Sequence, residues 1–133
     1  MLKYMLDTNI VIYTMKNRPD SVRERFKKHH GRMCISSITY MELVYGAERS
    51  SNPDRNLTSL EGFVARMDVL PHDDSAAAHA GQIRAELARL GMPIGPYDQL
   101  IAGHARSQGL VLVTNNEKEF ARVPGLRMEN WIL

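Results

Sequence analysis

The 133-residue sequence has one cysteine, Cys34, and no apolar run of about 18 residues. One cysteine cannot form an internal disulfide, which is typical of a reducing compartment. The N-terminus also lacks the basic segment followed by an apolar one that marks a secretory signal. We therefore expect a cytoplasmic protein that does not contact a membrane. Cys34 lies in the apolar segment 33–35, so we expect a buried structural thiol.

Two kinds of catalytic or metal site are also missing. No cysteine and histidine pairs have the spacing of zinc ligands, and no G-x-S-x-G segment supports nucleophile–histidine hydrolysis. His104 is accordingly expected to be a structural residue. The length and the apolar fraction of 44% predict one domain, residues 1–133, with a true hydrophobic core.

Positive charge is concentrated in the first quarter of the chain. The net charge is +2, but residues 1–33 contain eight Lys or Arg and only three Asp or Glu. Such a cluster is either the solvated face of a helix or a surface that attracts phosphate, since basic side chains gain affinity by releasing counterions from nucleic acid. Its members between residues 18 and 32 are Arg18, Arg23, Arg25, Lys27, Lys28 and Arg32.

Strand and helix patterns alternate along the chain. Strands are predicted at 2–6, 33–36, 69–70, 110–113 and 126–131. Helices are predicted at 10–15, 19–28, 39–49, 52–67, 75–90 and 96–107. The alternation predicts a single α/β domain in which a mostly parallel sheet lies between helices, as three layers. In such sheets, functional sites lie beyond the carboxyl ends of the strands.

Acidic residues occur at several of these strand-to-helix junctions. Asp7 ends the first strand, Glu42 follows the second strand by one helical turn, and Asp98 lies in the first turn of a helix. Each also has a structural explanation. Asp7 can cap a helix, Glu42 can form a capping box with Thr39, and the helix dipole favours Asp98.

A fourth polar segment follows the apolar strand at 110–113. Asn116 can cap a short helix there, and Glu119 can lie on its surface. The junctions converge in this fold, however, and a cluster of carboxylates is costly because like charges raise each other's pKa. A divalent cation removes that cost, and carboxylate oxygens are the ligands that Mg²⁺ and Mn²⁺ prefer.

Four segments resemble, in combination and order, the signature segments of the PIN-domain family. The match spans essentially the whole chain and is strongest to the VapC toxins of bacterial VapBC type II toxin–antitoxin systems. The segments are 5–9 (MLDTN), 36–46 (SSITYMELVYG), 94–102 (IGPYDQLIA) and 112–120 (LVTNNEKEF).

The resemblance implies an endoribonuclease that depends on Mg²⁺ or Mn²⁺ and a site made by Asp7, Glu42 and Asp98. Many members have Asp where this chain has Asn116. Asn116 can bind a metal through its carbonyl oxygen, whereas Glu119 can supply the missing carboxylate. Thr8 and Asn9 match the small polar residues that often follow the first aspartate in the family.

The resemblance also implies a substrate and partners. The substrate is structured RNA with an exposed loop, and similar members cut the anticodon loop of initiator tRNA, which inhibits translation. The products carry a 3′-hydroxyl and a 5′-phosphate. The implied partners are a VapB-type antitoxin, which blocks the acidic pocket with a basic side chain, and a second copy of the toxin in a homodimer. Promoter DNA is contacted only through the antitoxin.

Three other functions remain as alternatives. An aspartyl-phosphate phosphatase needs a second acid two residues after the first, but Asn9 stands there. A DNA-cutting nuclease would use the same acids, although the short chain leaves little room for a duplex-clamping extension. A binding module would use the basic cluster while the acids serve as helix caps. Digestion of RNA and DNA oligonucleotides with and without metal separates these functions.

Overall fold

Five parallel strands form the centre of this computed structural model, which describes residues 1–16 and 19–132. The order across the sheet is β3-β2-β1-β4-β5, and every neighbouring pair is parallel. The sheet confirms the predicted α/β class, with the last strand at an edge as expected. The strands are β1 (Tyr4–Leu6), β2 (Met33–Ser36), β3 (Asp68–Leu70), β4 (Val111–Val113) and β5 (Met128–Glu129).

Seven helices accompany these strands in the described residues. They are α1 (Thr8–Met15), α2 (Asp20–Lys28), α3 (Ser37–Glu48), α4 (Pro53–Val64), α5 (Asp74–Arg89), α6 (Pro96–Ser107) and α7 (Glu117–Phe120). None of the helices in this part of the chain has the length and apolar character needed to traverse a bilayer. Arg18 of the basic cluster lies outside the described residues.

The sheet is buried on both faces because successive residues of a strand point to opposite sides. Tyr4 and Leu6 of β1 pack in one core with residues of α1 to α4, whereas Met5 packs in a second core with residues of α5 and α6. Cys34 is fully buried in this second core, where burial raises the pKa of its thiol to about 12. The structure thus confirms three layers and the buried thiol.

Helix α3 begins earlier than predicted. Ser36 is its N-cap residue, and the Ser36 hydroxyl accepts a hydrogen bond from the amide of Ile38. The proposed capping box of Thr39 and Glu42 is therefore wrong, because both residues lie inside the helix. This start frees the Glu42 carboxylate from a capping role. Pro19 likewise stands at the N-cap of α2 rather than at its first helical position.

The strand order reverses direction at β1. From β1 the chain adds β2 and then β3 on one side of the sheet, and it later adds β4 and β5 on the other. The crevice beyond the carboxyl ends of β1 and β4 is therefore the switch point, where ligands of open α/β sheets bind. Trp131, which follows β5, is buried against Tyr4 and His29 and so attaches the C-terminal segment to the domain.

Candidate functional site

Asp7 occupies the switch point and has two hydrogen-bonding tasks. Its amide donates to the carbonyl of Val113 at 3.0 Å, which fixes the end of β1 beside the end of β4. One carboxyl oxygen caps α1 by accepting from the amide of Ile10, and the other accepts from the hydroxyl of Thr114. Burial raises the pKa of Asp7, hydrogen bonds from Thr114 and Ile10 oppose the rise, and the charge of Glu42 adds to it. The capping role expected for Asp7 is real, yet it leaves the carboxylate in the crevice.

Glu42 reaches the same crevice from α3. Its Oε1 atom accepts a hydrogen bond of 2.7 Å from the hydroxyl of Thr8, the residue that follows Asp7. This contact joins the start of α1 to α3 and orients the Glu42 carboxylate. The negative charge of Glu42 acts on both Asp7 and Asp98, so its carboxylate contributes to their shared electrostatic environment.

Asp98 lies in the first turn of α6, and its carboxyl group is close to Glu119. Burial, a hydrogen bond with Glu119 and the charge of Glu119 raise the pKa of Asp98 to about 7, with further contributions from Asp7 and Glu42. Four acidic side chains from four separate segments therefore interact electrostatically.

Asn116 and Glu119 are connected to Asp7 through the β4 end. The amide of Asn116 donates to the Thr114 hydroxyl oxygen at 2.9 Å, and its side-chain amide donates to Glu119 Oε2 at 2.8 Å. Asn116 stands at the N-cap of α7, but its side chain makes no capping bond, contrary to the structural explanation above. The bond instead orients Glu119 towards the site.

These residues fit a divalent cation. Residues 1–16 and 19–132 contain one ion pair, between Arg25 and Glu129, so no described basic side chain neutralises the four acids. The Oδ1 atom of Asn115, directly after Thr114, is buried without a hydrogen-bond partner among these residues. Among the described residues, no group of three acidic, histidine or cysteine side chains is placed so that it could hold a metal ion. A cation such as Mg²⁺, which is usually held by one or two carboxylates and several waters, suits this arrangement.

The sequence matches the model of the PIN domain over residues 4–126. The chain belongs to the PIN-domain family. A tRNA(fMet)-specific endonuclease VapC from Shigella flexneri is 67% identical over 131 residues, which cover 98% of this chain and 99% of the relative.

Solved structures show that this PIN domain has close relatives in assemblies. The DNA-bound VapBC of Salmonella typhimurium contains a chain that matches with a TM-score of 0.95 and 64% identity, over 98% of this chain and 99% of that one. VapBC2 of Rickettsia felis, bound to a DNA fragment from its promoter, matches with a TM-score of 0.92 and 38% identity, over 98% and 99% of the two chains.

Two further residues of this PIN domain, neither of them a predicted site residue, contribute to the site. Thr114 is fully buried and links Asp7 to Asn116, and Asn115 places an unpartnered amide oxygen beside it. A signal was present, because a polar triplet directly follows the buried strand β4 at its carboxyl end. A hydroxyl directly after such a strand can donate a hydrogen bond to the side chain at the end of the neighbouring strand, as Thr114 after β4 does to Asp7 after β1.

Proposed function

We propose that this chain is the toxin of a type II toxin–antitoxin system, acting as a metal-dependent endoribonuclease that inhibits translation. The whole chain, residues 1–133, acts as one ribonuclease domain. Its substrate is structured RNA, and the anticodon loop of initiator tRNA is the target we favour. The observation that carries the proposal is the interaction of Asp7, Glu42, Asp98 and Glu119 at the β1–β4 switch point of a PIN domain.

Family membership supports the nuclease activity, and a relative supports the substrate. The Shigella flexneri protein, 67% identical across nearly the whole chain, is specific for tRNA(fMet). The aspartyl-phosphate alternative is disfavoured because Asn9, which stands where its second acid is needed, is exposed on α1.

Asp7, Glu42 and Asp98, with Asn116 or Glu119, would hold Mg²⁺ or Mn²⁺. When bound, such a cation makes water more acidic and stabilises the charge that develops on the phosphate oxygens. The protein's own part is to position these ligands. Thr114 fixes Asp7, and Thr8 fixes Glu42. The hydrogen bond between Asp98 and Glu119 holds these two carboxyl groups side by side.

The proposed partners follow from the assemblies of the relatives. The VapBC structures support a VapB-type antitoxin that covers the acidic site, and a basic side chain can replace the charge of the metal there. DNA is present in both of those structures, and in the Rickettsia felis structure it is a promoter fragment. For this chain, promoter DNA would be contacted only through the antitoxin. We further propose that the toxin forms a homodimer, that it does not bind membranes, and that it acts in the cytoplasm, where tRNA is found.

The decisive experiment maps new RNA ends after total RNA is incubated with the purified protein, with Mg²⁺ or with EDTA. We expect metal-dependent cuts that are enriched in the initiator tRNA anticodon loop and have 5′-phosphate ends. Asp7→Asn, which can still cap α1 through its amide oxygen, should abolish these cuts. Asp74→Asn, an exposed change in the first turn of α5, is the matched control and should cut normally.

Three outcomes would contradict the proposal: full cleavage in excess EDTA, full activity of Asp7→Asn, and equal cleavage of DNA and RNA oligonucleotides. RNA binding without any turnover would instead favour the binding-module alternative. Correct folding of Asp7→Asn is checked by its thermal unfolding midpoint.

A further inference from the structure

A second group of polar residues, distinct from the four acids, lies at the carboxyl end of β2. It contains Ser36 and Ser37 at the start of α3, His104 in α6, and His72 in the connection between β3 and α5. Ser36 and His104 are fully buried, and Ser37 and His72 are half-buried. Burying a polar side chain is costly unless the side chain is hydrogen-bonded. We call these four residues the two-histidine network.

His104 joins α6 to the N-cap of α3. Its Nδ1 atom lies 2.8 Å from the Oγ atom of Ser36, a residue 68 positions away in the chain. The same oxygen accepts from the amide of Ile38 and so caps α3. Because burial lowers the pKa of His104 to about 4, the ring is neutral at pH 7 and can accept the Ser36 hydroxyl proton at Nδ1. The contact therefore fixes α6, which carries Asp98, against the start of α3, which carries Glu42.

His72 makes a second connection between the same two helices. Its backbone amide donates to Ser37 Oγ at 3.0 Å, and its ring Nε2 donates to the carbonyl oxygen of Leu100 at 3.0 Å. The roles in the second bond are fixed because a carbonyl oxygen can only accept. Ser37 is the first residue of α3, and Leu100 lies two residues after Asp98 in α6. The His72 side chain and backbone thus hold both helices near their N-terminal ends.

The two histidine rings contact each other edge to face. Their centroids are 5.1 Å apart, at an interplanar angle of 75°. The Nε2 atom of His104 is buried and has no hydrogen-bond partner among the described residues. An apolar side chain would avoid that unpaired atom, so burial alone does not explain why an imidazole stands here. The contact between α3 and α6 is also much less extensive than that between α5 and α6, which gives these polar bonds more weight in placing the two helices.

We propose that His104 and His72 are positioning residues, which hold α6 against the start of α3 and thereby set the distance between the Asp98 and Glu42 carboxyl groups. The rings bond to Ser36 and to the Leu100 carbonyl rather than to an acid, so both act through the helices. The inference rests on the proposed function, since it concerns how the acids are held for metal-dependent cleavage.

The distance between these two carboxyl groups matters because they would share a cation. Mg²⁺ demands nearly octahedral geometry, with ligands at about 2.0–2.1 Å. A displacement of about 1 Å can slow catalysis about a hundredfold. Asp98 precedes His104 by six residues, or about 9 Å of helix. A small tilt of α6 at His104 therefore moves the Asp98 carboxyl group relative to Glu42.

The test compares an apolar and a conservative substitution at each histidine. His104→Leu removes Nδ1, whereas His104→Asn places an amide oxygen or nitrogen near the same position. His72→Leu removes Nε2, whereas His72→Gln keeps an N–H at a similar distance from the backbone. Val22→Ala, a buried change of α2 in the core formed by α1 to α4, is the control for a general loss of stability.

Binding of Mn²⁺ without RNA is the first readout, measured from the signal of free Mn²⁺ in electron paramagnetic resonance. We expect both leucine variants to bind Mn²⁺ about tenfold more weakly than the wild type, and the conservative variants to stay within about threefold of it. Val22→Ala should unfold at a lower temperature but bind Mn²⁺ as the wild type does.

Cleavage of a loop-containing RNA at saturating Mn²⁺ is the second readout. In both leucine variants kcat should fall about tenfold, because the acids are displaced, while KM for the RNA changes by less than about twofold. Val22→Ala should keep the kcat of the wild type. Thermal unfolding midpoints show that each variant is folded at the temperature of the assay.

Several outcomes would overturn the proposal. Wild-type Mn²⁺ affinity and kcat in both leucine variants would leave the two-histidine network with a purely structural role. Equal losses in the conservative and leucine variants would show that the hydrogen bonds are not what positions α6. If His104→Leu does not fold, the pair of variants at the half-buried His72 decides the question alone. If the wild type binds Mn²⁺ but cuts no RNA, the proposed function fails, whereas the Mn²⁺ affinities still test the positioning.

Discussion

Asp7 shows how one residue serves both folding and chemistry. One of its carboxyl oxygens caps α1 and the other receives the Thr114 hydroxyl, so its removal affects helix stability as well as the site. Loss of an N-cap costs about 1 kcal/mol. Substitution by alanine therefore confuses loss of structure with loss of chemistry. Asparagine keeps the oxygen that caps α1, while it removes the charge and the oxygen that accepts from Thr114.

Glu119 is the residue whose role depends most on the structure. We predict that Glu119→Gln lowers metal-dependent kcat/KM by about tenfold to a hundredfold, because it removes the carboxylate next to Asp98 and weakens the orientation of Asn116. The matched control is Glu117→Gln, an exposed change two residues earlier in α7, which should stay near wild-type activity. Steady-state cleavage rates over a series of metal concentrations provide the measurement, and equal rates for both variants would exclude Glu119 from the site.

His104 predicts a pH dependence of stability. It is fully buried, with Nδ1 2.8 Å from the Ser36 hydroxyl oxygen, and burial followed by the charge of His72 lowers its pKa from 6.5 to about 4. The unfolded chain therefore takes up a proton between pH 6.5 and 4 that the folded chain does not. The stability contributed by His104 is complete above pH 6.5 and is lost as the pH falls towards 4.

Urea unfolding at pH 7.5 and pH 5 checks this prediction. His104→Gln should reduce the loss of unfolding free energy between the two pH values, by on the order of 1 to 2 kcal/mol. Titrating groups that do not interact with His104 cancel in the difference between the variant and the wild type. Identical losses in both proteins would show that the buried ring does not control this dependence.

At the scale of elements, the closest helix pair is α5 and α6. A Cβ atom at Gly103 of α6 would lie 2.5 Å from the backbone nitrogen of Ala80 in α5, which no side-chain motion can relieve. Gly103→Ala should therefore destabilise the fold by about 1–3 kcal/mol. Gly81→Ala, in open space on α5, should instead stabilise it by about 0.5–1 kcal/mol. Thermal unfolding measures both changes, and equal effects would contradict the close approach.

The elements were largely predictable because their sequences carry local signals. The buried strand at 110–113 and the Pro96 start of α6 depend on apolar runs and proline geometry, which act over a few residues. The start of α3 is ambiguous in the sequence because Ser36, Ser37 and Thr39 are all good capping residues. In the structure β2 ends at Ser36, so Ser36 becomes the N-cap and the helix begins at Ser37. Tertiary pairing also shortens the predicted strand 126–131 to Met128–Glu129, since only these residues pair with β4.

At the scale of the whole molecule, the set of acids was more predictable than the way they are held. Asp7 and Glu42 follow the ends of β1 and β2, and such ends lie at the same edge of a parallel sheet. Asp98 lies at the start of α6, which follows α5 and not a strand, so its convergence on the site was not set by the same rule. The bonds that orient them, from Thr114 to Asp7 and from Thr8 to Glu42, join residues 107 and 34 positions apart. Such contacts depend on strand order and helix placement, which no local pattern encodes.

The concentrated negative charge has a consequence for the stability of the whole domain. Without metal, the burial of Asp98 and the repulsion from the neighbouring acids oppose folding, as the raised pKa of Asp98 shows. Asp98→Asn should therefore raise the unfolding free energy in EDTA by about 1 kcal/mol, or the midpoint by about 3–5 °C, while it impairs cleavage. The wild type should instead gain about 2.7 kcal/mol when Mg²⁺ or Mn²⁺ is present at a hundred times its dissociation constant.

Calorimetric unfolding of both proteins, in EDTA and in each metal, measures this linkage. Metal should raise the unfolding midpoint of Asp98→Asn much less than that of the wild type. The variant lacks the Asp98 carboxylate, which would bind the cation and whose repulsion with the other acids the cation would relieve. Asp74→Asn removes a charge of the same sign from exposed α5 and should keep the full metal-induced rise. If all three proteins gained equal stability from metal, the cation would bind elsewhere, and the four acids would have to be explained as a purely structural cluster.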